Sequence, residues 1–255
     1  LDGSIYRARR TANESRSEFL ASGDPWFRPV NLRVGPDGAM YIVDMYREIV
    51  EDYSAIPRFL QQRYGLSGGR KLGRIWRLIP EKARLRPAVD WQRASNEVLL
   101  AALADENAWR RFTAQRLLIG RGGRTAVDGL AEMVRQDRSA VGRLHALYTL
   151  EGLGALRRQE IAVALGDANP GVRLHALQLS ERVLPDNADT VARLMRLAAS
   201  VESRVRLQVV LTLGESKNAA ADSSLLELAR RFGHERWMSA AVLSGSRDRA
   251  GRLLA

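Results

Sequence analysis

The chain has 255 residues, 45% of them apolar, with 40 lysines and arginines against 29 aspartates and glutamates, a formal charge of +11. That composition can bury a core in more than one domain. Having no cysteine excludes disulfides, thiolate zinc sites and CxxCH haem attachment, and no apolar run approaches the roughly 20 residues that a membrane span needs.

The first twenty residues predict two short strands, Ser4–Ala8 and Ser17–Leu20, around the polar turn Thr11–Glu14. The stretch Asp24–Glu48, DPWFRPVNLRVGPDGAMYIVDMYRE, predicts a hairpin. Its β-rich runs Phe27–Val34 and Met40–Asp44 are joined by Gly35-Pro36-Asp37-Gly38, a turn with φ preset at proline and permissive at glycine. Both runs are apolar with few interruptions, which predicts cover on both faces. A hairpin is marginal alone, so Ser4–Ala8 and a third strand, Arg74–Ile79, are its expected neighbours. The long loop 45–72 carries a short helix, Ile56–Arg63, with Pro57 near its first turn. Residues 83–87, inside the Pro80–Pro87 stretch, read as a basic linker.

From 88 the period changes to helical and a unit recurs. WRRFTAQRLL (109–118), VGRLHALYTL (141–150), GVRLHALQLS (171–180), RVRLQVVLTL (204–213) and ERWMSAAVLS (235–244) align on Arg111, Arg143, Arg173, Arg206 and Trp237, in steps of 32, 30, 33 and 31. Partner helices are expected at Ser95–Ala104, Thr125–Arg135, Arg157–Leu165, Ala188–Ala199 and Ser223–Arg231. Asp105, Asp137 and Asp167 are expected to cap helix starts, and Gly120, Gly154 and Gly214 to end helices in left-handed geometry. The repeated arginines are expected to brace neighbouring repeats. His145 and His175 fill one slot of RLHAL a repeat apart, about 10 Å, too far for one metal ion, so no metal site is expected there.

The order GSIYRAR, DPWFRPV, GPDGAMYIVDMYRE, AIPRFL, GRIWRLIPE resembles the end of the β-propeller in large bacterial membrane-bound dehydrogenase-like proteins of the planctomycete and verrucomicrobial type. Those proteins are similar to glucose and sorbosone dehydrogenases that use pyrroloquinoline quinone, and continue into HEAT repeats and a c-type haem domain. The helical repeat likewise resembles short bacterial HEAT repeats. The resemblance implies an α+β chain: a terminal β-propeller blade over 1–82, then a HEAT-like α-solenoid of about five repeats over 88–255. It also implies an exported, periplasmic protein of which this chain, starting at Leu1 without methionine, is a piece. In a blade of that kind Asp24, Trp26, Arg28, Tyr46, Arg47 and Glu48 share one channel mouth. Arg28 is the favoured ligand contact, with an ion pair to Glu48 or Asp24 as the alternative. Trp26 and Phe27 are expected as packing wedges, and Asp44 as a brace. Arg74 and Arg77 resemble a basic strand near the quinone.

The implied activity is oxidation of a sugar or alcohol in the full-length protein, with no cofactor expected on this piece alone. The solenoid would meet a protein partner or the adjoining haem domain. The competing reading is a non-enzymatic propeller and HEAT binding module. DNA binding is least favoured, because residues 1–86 and 87–255 carry +6 and +5 without a clustered stripe. The sequence has no HExxH or P-loop. The loop acids Glu48, Glu51 and Asp52 need no ion if exposed.

Overall fold

The computed structural model describes residues 5–50, 53–64, 68–247 and 249–251. They form a mixed α+β chain, with one antiparallel sheet of order β1-β2-β3 and eleven α-helices. Two compact units divide it: Arg9–Asp90 with Glu106–Arg110, and Leu1–Ala8 with Trp91–Asp105 and Arg111–Ala255.

In the first unit the hairpin forms as β1 (Pro29–Val34) and β2 (Met40–Asp44), and β3 (Arg74–Leu78) pairs with the far edge of β2. Gly38 adopts φ +91°, which an L side chain resists, and the Asp37 carboxylate accepts the Ala39 N–H at 3.0 Å. Helix α1 (Arg58–Tyr64) lies in the long loop. Among the described residues the unit does not supply the expected cover on both sheet faces. Every β1 residue is exposed, and Ile75 is 68% and Trp76 46% exposed. Within the sheet only Ile42 and Asp44 are buried.

The expected strand Ser17–Leu20 does not form. Ser17 and Glu18 are instead tied to Arg10, whose guanidinium bonds Ser17 O at 2.9 Å and the Glu18 carboxylate at 3.0 Å. Of Ser4–Ala8, Ser4 lies outside the described residues, Ile5 makes an isolated bridge and Tyr6–Ala8 have no regular structure. The linker is pinned: Arg86 N donates to Asp37 O at 2.9 Å.

The second unit contains α2 (Asn96–Ala102), α3 (Ala108–Gly120, whose first turn clusters with the sheet unit), α4 (Val127–Gln136), α5 (Ala140–Gly152) and α6 (Arg158–Leu165). It continues through α7 (Pro170–Val183), α8 (Ala188–Leu197), α9 (Ser203–Glu215), α10 (Ala219–Phe232) and α11 (Met238–Gly245). Helices α5, α7, α9 and α11 pack in succession, with α4 and α6 on one stretch of that row and α8 and α10 on the next. Buried residues recur at helical spacing, as in Ala221, Leu225 and Leu228 of α10. One continuous core runs from Leu99 through Leu118, Leu147, Leu177 and Leu213 to Met238, and each fully buried leucine contributes about 1.5–3 kcal/mol.

Capping differs from expectation. The side-chain caps among the described residues are Ser95, Ser139, Asn169, Asn187 and Asn218, with Asn107 before α3 accepting Trp109 N at 2.8 Å. Asp137 and Asp167 stand two residues earlier and accept the N–H of the cap residue itself, at 2.7 and 2.8 Å. Of the predicted glycines only Gly154 is left-handed, at φ +64°. Gly120 ends α3 in open space, and Gly214 lies inside α9, where a Cβ would stand 2.9 Å from the Gly245 backbone of α11.

Candidate functional site

The sheet unit gathers its predicted residues around a group that the sequence marked only as a brace. The Asp44 carboxylate is shielded from solvent at the end of β2. Its Oδ1 accepts the N–H of Arg28 and of Tyr46, both at 2.9 Å. Its Oδ2 accepts the Trp76 indole N–H at 3.1 Å and Arg74 Nε at 3.2 Å. A β1–β2 register irregularity between Pro29 and Asn31 adjoins the Arg28 contact. Burial pushes the Asp44 pKa up, but the hydrogen bonds from Arg28, Trp76, Tyr46 and Arg74 outweigh it and leave the acid below its usual range.

Around this carboxylate the Arg74 guanidinium lies 3.6 Å above the Tyr46 ring and bonds Asp24 Oδ2 at 3.4 Å. Trp26 meets Tyr46 edge-on at 5.7 Å. Tyr46 holds φ +48°, a strained conformation for a bulky residue. Its carbonyl lies so close to Gly69, itself at φ +79°, that a Cβ there would stand 2.1 Å away. Arg28 turns to neither acid side chain. Its guanidinium bonds the carbonyls of Pro25, Phe27 and Glu48.

The structure therefore brings together Asp24, Arg28, Tyr46, Arg74 and the backbone of Glu48. Arg47 stands beside them, half-buried, with no hydrogen-bond or ion-pair partner among the described residues. Arg77 is elsewhere: it pairs with Tyr41 across the strands and bonds Asp37 at the hairpin turn. Glu51 and Asp52 lie outside the described residues. Among the described residues no three His, Cys, Asp or Glu side chains are placed to share a metal ion.

Pyrroloquinoline quinone is a tricarboxylate and needs cations with free donors. Here Arg28 is spent on carbonyls and Arg74 on two carboxylates and a ring. Arg28 and Arg74 as held here do not fit that group, and no catalytic step is derived through it.

The helical unit contributes a different pattern. Arg111, Arg143, Arg173 and Arg206 each donate Nη1 to the carbonyl six residues back: Asp105, Asp137 and Asp167 at 2.7 Å and Ser200 at 2.5 Å. Their other edges reach onward. Arg143 grips Asp167 with Nε at 2.6 Å and Nη2 at 2.7 Å, Arg206 bonds Glu235, and Arg111 Nε donates to His145 Nε2 at 3.2 Å. His145 then carries its proton on Nδ1, 2.6 Å from Gln115 Oε1. Burial, with the nearby Arg111 charge, pushes its pKa down to about 4. His175 Nδ1 meets the Tyr148 hydroxyl at 2.8 Å, and Gln178 donates to Gln208 at 3.2 Å. Each histidine slot thus engages the preceding repeat.

Residues 1–82 match the model of a domain of unknown function, DUF7133. No curated protein matches the chain.

Proposed function

We propose that this chain is a terminal β-propeller blade followed by a HEAT-like α-solenoid, a binding and assembly scaffold from an exported dehydrogenase-like protein. The observation that carries the reading is the recurring arginine contact to the carbonyl six residues back. Four helices with one internal geometry support a repeat array, and such arrays present extended surfaces to partners. The bare apolar residues of β1 and β3 support a blade that takes its remaining cover from other parts of the protein.

Quinone-dependent oxidation of a sugar or alcohol by the whole protein is the second reading. The sequence resemblance favours it, together with Arg47, whose donors have no partner among the described residues. The Asp44 cluster favours the scaffold, because its donors and acceptors are spent on each other. Dye reduction by the full-length protein, loaded with pyrroloquinoline quinone and offered aldoses and alcohols, separates the two. The scaffold reading expects no reduction dependent on residues 9–90, and loss of turnover in Arg47→Ala would replace it with the enzymatic one.

A further inference from the structure

The arginine row has one exception. Arg173 on α7 donates Nη1 to the carbonyls of Asp167 and Ala168, at 2.7 and 3.0 Å, yet its Nε and Nη2 have no partner among the described residues. At sister joints the acid comes from two places: Asp167, six residues before Arg173, and Glu235, two residues before Trp237. The same positions ahead of Arg206 are Ser200 and Arg204, a hydroxyl and a second cation. Ser200 keeps the local role of the aspartates, its Oγ accepting Glu202 N at 3.2 Å as Asp137 and Asp167 accept theirs. Only the charge is missing. Arg204 bonds the Tyr6 hydroxyl at 2.5 Å, and Val201 between them is 90% exposed.

We infer that the Arg173 guanidinium at the α7–α9 joint is a carboxylate-binding site, receiving from outside the acid that Asp167 supplies to Arg143. A guanidinium edge with two parallel donors matches a carboxylate, and the half-buried setting of Arg173 spares it full solvent competition. This inference rests on the repeat register underlying the scaffold reading, but not on any activity of the whole protein.

The test uses isotope-labelled full chain and follows the Arg173 Nε–Hε resonance while succinate, or in a separate arm a glutamate-rich peptide, is added. The resonance should shift with both. Saturation at lower concentration with the peptide identifies a protein partner, and equal or lower concentration with succinate identifies a small acid. Ser200→Asp should supply the acid internally, shift the resonance before any addition and abolish the response, while raising Tm. An unresponsive resonance in the wild-type chain, or an unchanged response in Ser200→Asp, overturns the inference.

Discussion

The Asp44 carboxylate accepts the indole N–H of Trp76 at 3.1 Å across the β2–β3 pair, and on that bond the corner of the sheet unit turns. Neither residue is free for chemistry. Trp76 shows solvent almost half its surface, so the acid is shielded by a thin shell rather than a deep core.

Asp44→Ala should therefore cost about 2 kcal/mol, the lower-middle part of the range for orphaned donors of this kind. Melting followed by Trp fluorescence checks it. Because folding depresses this pKa, the contribution is complete above the unfolded carboxylate value and disappears as pH falls through the folded one. The Asp44→Ala variant should lack that acid-side decline.

Arg143 and Asp167 form a two-pronged pair whose side chains are only 15% and 6% exposed. Arg143→Ala strands a buried carboxylate and should cost about 3 kcal/mol. Arg143→Lys should recover only part of it, since an ammonium cannot present two parallel donors. Denaturant titration of the helical signal measures both.

His145 gives the helical unit its own acid response. With a pKa lowered from 6.5 to about 4 by burial and Arg111, the unfolded chain takes up the proton first. Stability should fall as pH drops from about 6.5 towards 4. In His145→Gln that part of the slope should vanish, as thermal melts across the range would show.

Two glycines should respond in opposite directions. Gly214→Ala pushes a methyl into Gly245 at the α9–α11 crossing and should cost about 1–3 kcal/mol. Gly120, facing open space at the end of α3, should gain about 0.4–1 kcal/mol on conversion to alanine. Paired melting curves test both.

The hairpin and the helix register were legible because turn chemistry and period are local signals. The aligned arginines could be read as braces, although their carbonyl partners were not visible. Arg74 and Arg77 illustrate what was missed: three residues apart on a strand, they face opposite sides, so only Arg74 could join Asp44. The caps were missed because Asn107, Ser139 and Asn169 each follow a more conspicuous aspartate by two positions. The sequence marks Asp44 as a brace, but its four donors come from Arg28, Tyr46, Arg74 and Trp76, spread over 49 positions of chain, and such convergence is a product of folding. The bare surface of β1 is not legible in the sequence because a covered strand and an uncovered one can carry the same residues.

The most direct measurement of the scaffold account is amide hydrogen exchange on this chain. Amides of α3, α5, α7 and α9 should be protected together, as one stacked core requires, while the outward amides of β1 exchange quickly. Protection of β1 equal to that of β2, or helices that exchange as unrelated units, would contradict it.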